Sequence, residues 1–371
     1  MLLPRPATVG RFVLNSAAAA LVSATAAALL ARFWWAFDLF SHFRLQYLVL
    51  AVVLIPAALA LRARPAVVVL AVVAATHAWA VKDLWLGGER EAAGLPVRIA
   101  SANVWGPENP TPEKLLDFAR TADPDLLIVV DAGSERWRAV RAELGALYPH
   151  RAPRDWRTGA PILLFSRLPI ASASEEPLNG RRPRLVSRVE IAGQTLTVVG
   201  VHPYSPSPRS PGRSRLRNRE LDAIAARVDE TGRPVIVAGD FNVTPFSPHF
   251  RDLLAQAGLR NAAAGQGWIG TWPNWFWPAR VPIDHILVGG PLGVASFERG
   301  PFIGADHFPI IADLRLQPEG VAARIHPDVP PRSRHPVASG HPAGPGHRPP
   351  IVPDHDAAGG GTARRDRDGP V

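Results

Sequence analysis

Apolar residues follow two different patterns along the chain, and the change between them divides the sequence. Near the N-terminus, three long runs without Asp, Glu, Lys or Arg extend from Phe12 to Ala31, from Leu45 to Leu61 and from Ala66 to Val81. A bilayer-spanning helix needs roughly 17–25 apolar residues. Arginines lie between the runs and tryptophans lie near their ends, as is usual at membrane interfaces. The pattern predicts a transmembrane region of about three helices over residues 1–85.

Two alternative interpretations of these runs remain open. A cleaved signal peptide would account for the first run, which contains several Ser, Thr and Asn residues, but not for the other two. Buried helices of a soluble core would show a polar face, which these runs lack. Three such runs in succession therefore favour the membrane.

From residue 97 to residue 316, short apolar runs alternate with amphipathic stretches. The segments VRIASANVW, DLLIVVDAG and PVIVAGDFN are predicted strands, and TPEKLLDFARTA, capped by Thr111, and Leu216–Val228 are predicted helices. SRVEIAG and QTLTVVGVHP flank Ala192-Gly193, which predicts a hairpin. Because hairpins are present, we expect a mixed α/β or α+β domain rather than a simple doubly wound parallel sheet.

The remaining segments carry little apolar patterning. Residues 86–96 are predicted to be a linker between the membrane region and the domain at 97–316. Residues 317–371 have no aromatic residues and are rich in Pro, Gly, His and Arg, so we predict a disordered tail. The tail contains five of the 12 histidines, for which a hydrated tail is a simpler explanation than metal binding.

The amino-acid composition limits which kinds of site and partner the chain can have. The 371 residues include no cysteine, which excludes disulfides, Cys-ligated zinc and thiol catalysis but leaves the compartment open. The net charge of +9 suits an anionic partner such as phosphate, nucleic acid or lipid headgroups. A chain rich in Ala, Arg, Pro and Gly can also owe this charge to genome composition alone.

Polar side chains occur at the ends of the predicted strands or inside them. They are Asn103, Asp131, His202, Tyr204, Asp240, Asn242, Asp284, His285, Asp306 and His307. Any one Asp after a strand is most often a turn residue, but the ordered set predicts one shared rim. Several carboxylates in one pocket repel each other unless a cation is bound, and Asp and Asn oxygens suit Mg²⁺ or Mn²⁺. Together with histidines, such an ion indicates phosphoester hydrolysis.

This ordered set resembles the endonuclease/exonuclease/phosphatase superfamily, which includes DNase-like nucleases, sphingomyelinases and inositol-phosphate phosphatases. With its hydrophobic N-terminal region, the chain is most similar to the bacterial membrane members of the vancomycin/teicoplanin-resistance (VanJ) type. The resemblance implies an α/β fold, a four-layer α/β sandwich of two packed mixed β-sheets flanked by helices, preceded by the transmembrane helical region.

The resemblance also implies the catalytic roles. Asp240 would orient or deprotonate the attacking water, and Asp284 would orient the catalytic His307 at the phosphate. Asn242 would hold a phosphate oxygen or the nucleophile, and His202 would face the phosphate as a second histidine. Tyr204 would either be a further catalytic residue or have only a structural packing role. His285 follows the motif Asp on the opposite face of its strand, which indicates a structural role.

The metal-binding positions implied by the resemblance include one departure. Asn103, Asp131 and Asp306 match these positions, but the family usually has Glu where this chain has Asp131. The shorter acid loses roughly 1.5 Å of reach, about one carbon–carbon bond. Mg²⁺ is therefore expected only if the backbone lies closer or a water bridges, and Mn²⁺ or Ca²⁺ would tolerate the change more easily.

Two further segments bear on the substrate. PRSPGRSRLRNRE carries five arginines that could bind phosphates or an anionic membrane, although a solvated loop leading into a helix is slightly favoured. GWIGTWPNWFWP carries four tryptophans; Trp272 is a candidate for the core, and the others could contact lipid or stack on a substrate.

Three functions remain compatible with the sequence. The favoured one is a multi-pass protein of the cell membrane that hydrolyses a lipid-linked phosphate or pyrophosphate of the envelope, with its catalytic domain on the extracytoplasmic side. The second is a membrane-tethered nuclease, and the third is a non-catalytic membrane adaptor with a relic site. The nearly intact polar set disfavours the adaptor, and the oligomeric state stays open.

Overall fold

The computed structural model describes residues 6–88, 93–154, 162–178, 182–207 and 209–317. The predicted disordered tail, apart from Gln317, and residues 89–92 of the predicted linker lie outside the described residues. The described helices and the domain that follows them belong to one compact unit. The division of the chain into four parts stays a prediction.

The N-terminal region is helical, with α1 at Pro6–Leu29, α2 at Trp35–Ser41, α3 at Arg44–Ala60, α4 at Arg64–Val81 and the short α5 at Asp83–Leu86. Two continuous segments, Ala7–Leu29 and Arg64–Leu86, are long and apolar enough to cross a membrane. Helices α2 and α3 form a third candidate, a broken span or a re-entrant loop, because they are bent by 59° where they meet.

The helical bundle is apolar on its inside and on its outside. Ala51 and Ala58 are completely buried between helices, where small side chains allow close packing. Phe12, Val53 and Val72 face outward and are well exposed. An apolar outer surface of this kind is what lipid, rather than water, accommodates.

The described residues between 95 and 316 form twelve strands in two six-stranded sheets. The first sheet has the order β11-β12-β1-β2-β4-β3, with β1 Leu95–Asn103, β2 Leu126–Val130, β3 His150–Ala152, β4 Ile162–Ser166, β11 Leu292–Arg299 and β12 Ile310–Leu316. The second has the order β5-β6-β7-β8-β10-β9, with β5 Ile170–Leu178, β6 Arg182–Ile191, β7 Gln194–Val201, β8 Val235–Asp240, β9 Arg260–Asn261 and β10 Asp284–Gly289. The pairs β1–β2 and β7–β8 are parallel and the others antiparallel, so both sheets are mixed.

Helices cover the outer face of each sheet. Helices α6, Lys114–Ala122, and α7, Arg138–Leu147, pack on the first sheet, and α8, Pro211–Glu230, and α9, Pro248–Ala257, pack on the second. Aliphatic side chains from both inner faces, such as Ile128 and Ile236, fill the space between the sheets. The predicted four-layer sandwich of two mixed sheets flanked by helices is confirmed.

Local sequence signals explain several element ends, with one difference. Ala192 and Gly193 both have positive φ (49° and 81°), the conformation that a two-residue hairpin between β6 and β7 requires. Helix α6, however, begins at Lys114 rather than at a Thr111 cap. The N–H of Thr111 donates to the side chain of Asn109, so this residue belongs to the preceding loop.

The helical region packs directly on the second sheet and its helices. Val81 and Leu84 form an apolar cluster with Phe246 and Trp268 of the sandwich. Arg32 and Asp252 form an ion pair across the same junction, with N–O distances of 2.7 and 2.9 Å. The sandwich is therefore attached to the bundle by side-chain contacts as well as by the chain itself.

Candidate active site

Four of the predicted site residues lie where parallel strands end. Asn103 is the last residue of β1, Asp131 follows β2, His202 follows β7, and Asp240 is the last residue of β8. Parallel strands bring their carboxyl ends to the same edge of a sheet. Since each sheet contains one parallel pair, the two edges together supply this polar group.

Antiparallel strands bring the remaining residues to the same edge. Asp284 opens β10 and lies directly opposite Asp240 in the β8–β10 register. Asp306 and His307 precede β12, whose first residue, Ile310, pairs with Ser101 near the end of β1. The structure thus brings together both sheets' contributions at one rim, as the sequence predicts.

His307 and Asp284 form a buried pair. Nδ1 of His307 donates to Oδ2 of Asp284 at 2.8 Å, and both side chains are nearly inaccessible. Burial alone would lower the pKa of His307, but the carboxylates of Asp284, Asp240 and Asp306 outweigh it and raise the pKa to about 10. The bond fixes the ring so that Nε2 points toward the other site residues.

Asp240 lies at the centre of the polar group. Its Oδ2 accepts from Nδ2 of Asn103 at 3.0 Å and lies 3.5 Å from Nε2 of His202 and 3.8 Å from Nε2 of His307. Its Oδ1 accepts from the N–H of Asn242 at 2.8 Å. Burial would raise the pKa of Asp240, but the two histidines hold it well below its usual range. Asp240 is thus a buried carboxylate whose low pKa favours its ionised form.

His202 is held between two acids. Its Nδ1 lies 3.2 Å from Oδ1 of Asp131 on one side, while Asp240 lies on the other. Burial opposes protonation of His202, but Asp131 and then Asp240 raise its pKa to about 9. Asp131 has a φ of 66°, in the left-handed region, which Asp tolerates better than most residues.

The family model for the endonuclease/exonuclease/phosphatase family matches residues 100–307, which is more than half of the chain. The matched segment begins just before Asn103 and ends at His307, so it spans the polar group from end to end. The chain belongs to the endonuclease/exonuclease/phosphatase family. Members of this family are phosphodiesterases and phosphatases that generally depend on a metal ion.

Several solved structures are similar to this chain in fold. The chain is similar to D. rerio TDP2 complexed with single strand DNA product, with 16% identity, a TM-score of 0.50, and coverage of 59% of this chain and 99% of that chain. Sphingomyelinase C from Streptomyces griseocarneus has 17% identity, a TM-score of 0.46 and coverage of 59% and 99%. The endonuclease/exonuclease/phosphatase from Beutenbergia cavernae has 19% identity, a TM-score of 0.48 and coverage of 60% and 72%. No curated protein matches the chain.

The residues at this family site suit a hard divalent cation. Oδ1 of Asp306 is buried and has no hydrogen-bond partner among the described residues, and burial raises the pKa of this carboxyl. A bound cation would satisfy that oxygen, and Asn103 and Asp131 lie at the same rim and add oxygen donors. Such an ion would neutralise charge on a phosphate.

A second group of potential ligands overlaps this site. Atoms of Asp240, Asp284 and His307 lie within 4.8 Å of one another. Each of the three already has a hydrogen-bond partner within the protein: Asp284 and His307 bond each other, and Asp240 accepts from Asn103 and Asn242.

Two further predicted residues, Tyr204 and His285, lie near the polar group. The N–H of Tyr204 donates to Glu220 at 2.8 Å, and its ring lies 5.9 Å from the Arg213 guanidinium, so a catalytic role stays a prediction. His285 packs against Phe250 and bonds the Val243 carbonyl at 2.8 Å. Its side chain is directed into the α9 layer, which agrees with the alternation of side chains along a strand.

Sequence reasoning missed one contact of the site. Trp272, considered above as a core residue, is 37% exposed. Its Nε1 donates to Oδ2 of Asp306 at 3.0 Å, and its ring lies 6.4 Å from that of His307. The only sequence signal is its position shortly before the Asp284 motif, which does not distinguish a core ring from a ring at the site.

Proposed function

We propose that this chain is a membrane-anchored, divalent-metal-dependent hydrolase that cleaves a phosphoester or pyrophosphate bond in a lipid-linked phosphate of the cell envelope. We also place it among the membrane members of the vancomycin/teicoplanin-resistance (VanJ) type. The observation that carries the proposal is the position of the active-site loop between Phe241 and Ser247 against the apolar helices.

Side chains of the helical region contact this loop and its neighbour. Nδ1 of His42 lies 3.0 Å from Oγ1 of Thr244, four residues after Asp240. Nε2 of Gln46 donates to the carbonyl of Arg280 at 3.0 Å. Both residues lie where α2 meets α3, so this junction contacts two loops that adjoin the candidate site. A substrate held in the same bilayer would have its headgroup at this level.

An exposed aromatic segment supports a lipid substrate. Trp275, Phe276 and Trp277 are 76%, 47% and 77% exposed. They lie between Trp272, which contacts the site through Asp306, and Arg280, which contacts the helical region through Gln46. Aromatic side chains in such a position suit the bilayer interface or the acyl chain of a lipid.

The proposed reaction is attack of water on phosphorus with departure of the ester or phosphate oxygen. Asp240, whose lowered pKa favours the carboxylate form, accepts the proton of the water as the new P–O bond forms. Nε2 of His307 donates to a phosphate oxygen and is held in position by Asp284. Asn242 donates one amide N–H to the carbonyl of Pro203, and its second amide N–H is available for a phosphate oxygen. The leaving oxygen takes a proton from the protonated His202 or from solvent.

The proposed metal is Mg²⁺ or Mn²⁺, held by Asn103, Asp131 and Asp306. These side chains offer oxygen atoms only, and a chain without cysteine has no thiolate to favour a softer ion. The short Asp131 makes Mn²⁺ the easier ion to accommodate.

The activity test uses the full-length chain in lipid nanodiscs. A polyprenyl pyrophosphate, a phospholipid and single-stranded DNA are offered in parallel with Mg²⁺ or Mn²⁺, and phosphate or nucleotide release is measured. We expect metal-dependent release from the lipid phosphates, stopped by EDTA and by Asp240→Ala. Release from DNA alone would favour the nuclease, and no release from any substrate with either ion would favour the adaptor.

The proposed orientation places the domain outside the cytoplasm. Arg11 flanks the first apolar run, and Arg62 and Arg64 separate the second run from the third; if both groups are cytoplasmic, an odd number of spans exports the domain. A phosphatase reporter fused after Gln317 should then be active, and a fluorescent protein that matures only in the cytoplasm should be dark. The reverse pattern would place the site in the cytoplasm and remove envelope lipids of the outer leaflet from consideration.

A further inference from the structure

A buried ion pair joins the helical region to the sandwich. Asp38 of α2 is 1% exposed and pairs with Arg217 of α8, whose side chain is completely buried. Oδ1 of Asp38 also accepts from Oγ of Ser247 at 2.8 Å and from Oγ of Ser41 at 3.0 Å. Arg217 was grouped above with arginines of a solvated or phosphate-binding segment, and the structure shows that it belongs to neither.

The same arginine also contacts the active-site loop. Nη1 of Arg217 donates to the carbonyl of Asn242 at 3.0 Å. Asn242 has a φ of 52°, in the left-handed region, which Asn adopts more readily than most residues and which its hydrogen bonds hold here. The N–H of Asn242 bonds Asp240 and its side chain bonds Pro203. The hydrogen bond from Arg217 therefore fixes the remaining polar group of this residue, its backbone carbonyl.

We propose that Arg217 is a positioning residue for the loop that carries Asp240 and Asn242, and that Asp38 of the membrane-proximal helix sets the orientation of Arg217. The planar guanidinium can bond a carboxylate with one nitrogen and a carbonyl with another, which a lysine ammonium does less well in a fixed geometry. The helical region is then part of the catalytic apparatus rather than only an anchor. This inference rests on the proposed hydrolase function for its kinetic readout.

The structure provides a matched control at the same junction. Arg32 and Asp252 also join the helical region to the sandwich, but their side chains are 57% and 29% exposed. Asp252 lies on α9, and its ion pair with Arg32 does not include a residue of the loop 241–247. A change in Arg32 therefore weakens attachment without reaching the loop.

The test compares Asp38→Asn, Arg217→Lys and the double variant with Arg32→Ala, all as full-length chains in nanodiscs. Hydrolysis of bis(p-nitrophenyl) phosphate gives kcat and KM. Because a misplacement of about 1 Å can cost roughly 100-fold in rate, we expect kcat to fall at least about tenfold at nearly constant KM. The double variant should be no slower than the slower single variant, because both changes act on one loop. Arg32→Ala should keep kcat within about twofold.

Hydrogen exchange supplies a readout that does not need activity. Peptides covering residues 241–247 should exchange faster in Asp38→Asn than in the parent chain, and at the parent rate in Arg32→Ala. Hydrogen exchange tests the positioning role of Arg217 even if the parent chain does not cleave the diester. Absence of cleavage would count against the proposed function, not against this positioning role. Unchanged kcat together with unchanged exchange in the loop would overturn the proposal.

A milder variant covers failure to fold. If Asp38→Asn and Arg217→Lys cannot be purified, Ser41→Ala removes the hydrogen bonds from Oγ of Ser41 to the carbonyl and to Oδ1 of Asp38 and keeps the ion pair. Faster exchange in the loop at an unchanged melting temperature supports the proposal, and the parent exchange rate overturns it.

Discussion

Replacing Asp284 with Asn should slow hydrolysis while leaving the fold intact. Oδ2 of Asp284 accepts from Nδ1 of His307 at 2.8 Å, and the two residues are only 3% and 5% exposed. Asn has the same shape, but if its amide group replaces that oxygen, two donors face each other. The ring then loses its orientation, and its pKa falls because the Asp284 carboxylate that raised it is gone. The neutral ring can adopt the tautomer in which Nε2 carries no proton for the phosphate.

The size of the effect follows from the bond that is lost. A hydrogen bond to a charged group contributes about 1.5–3 kcal/mol, which corresponds to a rate loss of about 10- to 160-fold at 1.36 kcal/mol per tenfold. If the tautomer inverts as well, the loss can approach roughly 10⁴-fold, as in other enzymes with a His–Asp pair. We expect the loss in kcat, with KM changed much less.

The assay is hydrolysis of bis(p-nitrophenyl) phosphate by full-length protein in nanodiscs at saturating Mg²⁺ or Mn²⁺. Asp313→Asn is the matched control, because Asp313 pairs with Arg98 at 2.7 Å on β12 and does not contact the site residues described above. The control should keep kcat within about twofold. If Asp284→Asn also stays within twofold, His307 does not depend on Asp284, and the proposed proton-donating role of its Nε2 is refuted.

Three further predictions test the metal site, the core and an ion pair. Asp131→Glu should keep or raise kcat with Mg²⁺, since about 1.5 Å of reach is restored; an inactive variant of an enzyme that already prefers Mg²⁺ would show a pocket built around Asp. Phe250→Ala should destabilise the fold by about 3–5 kcal/mol, because the ring is fully buried; an unchanged denaturation midpoint would contradict this. For Glu176, burial raises the pKa, but Arg184 and Arg227 outweigh it and lower the pKa from 4.5 to about 2. The ionised form therefore stabilises the fold above about pH 4.5 and loses this effect as the pH falls toward 2. The stability gap between the parent chain and Glu176→Gln should shrink between about pH 5 and pH 3, and a constant gap in denaturation midpoints would exclude this reasoning.

The site could be predicted from sequence because its residues follow strands that are strongly apolar. The run before Asp240 is buried at every position, so its abrupt polar end is visible in the sequence. The same holds for β2, whose five residues are all buried before Asp131. Buried parallel strands provide both the pattern and the reason for convergence at one edge.

Other elements leave little trace in the sequence. Strand β9 has two residues, and β5, with the sequence IASASEEPL, shows no regular apolar alternation, so neither has a pattern to detect. The burial of Arg217 could not be anticipated, because its partner Asp38 is 179 residues away along the chain. From sequence alone, an arginine in an arginine-rich segment is expected to be exposed to solvent, and only the fold identifies its carboxylate partner.

The separation between Asp38 and Arg217 has a consequence for how the protein is made. Asp38 leaves the ribosome 179 residues before its partner. At about 5–20 residues per second, that delay lasts roughly 9–36 s. During this time the carboxylate lacks the arginine that it pairs with in the fold, and we expect it to stay hydrated because an unpaired charge is costly to bury. We therefore expect helix α2 to reach its final position only after α8 has been synthesised. A chain truncated before Arg217 should leave α2 accessible to protease, whereas protection of α2 in that truncated chain would contradict this order of assembly.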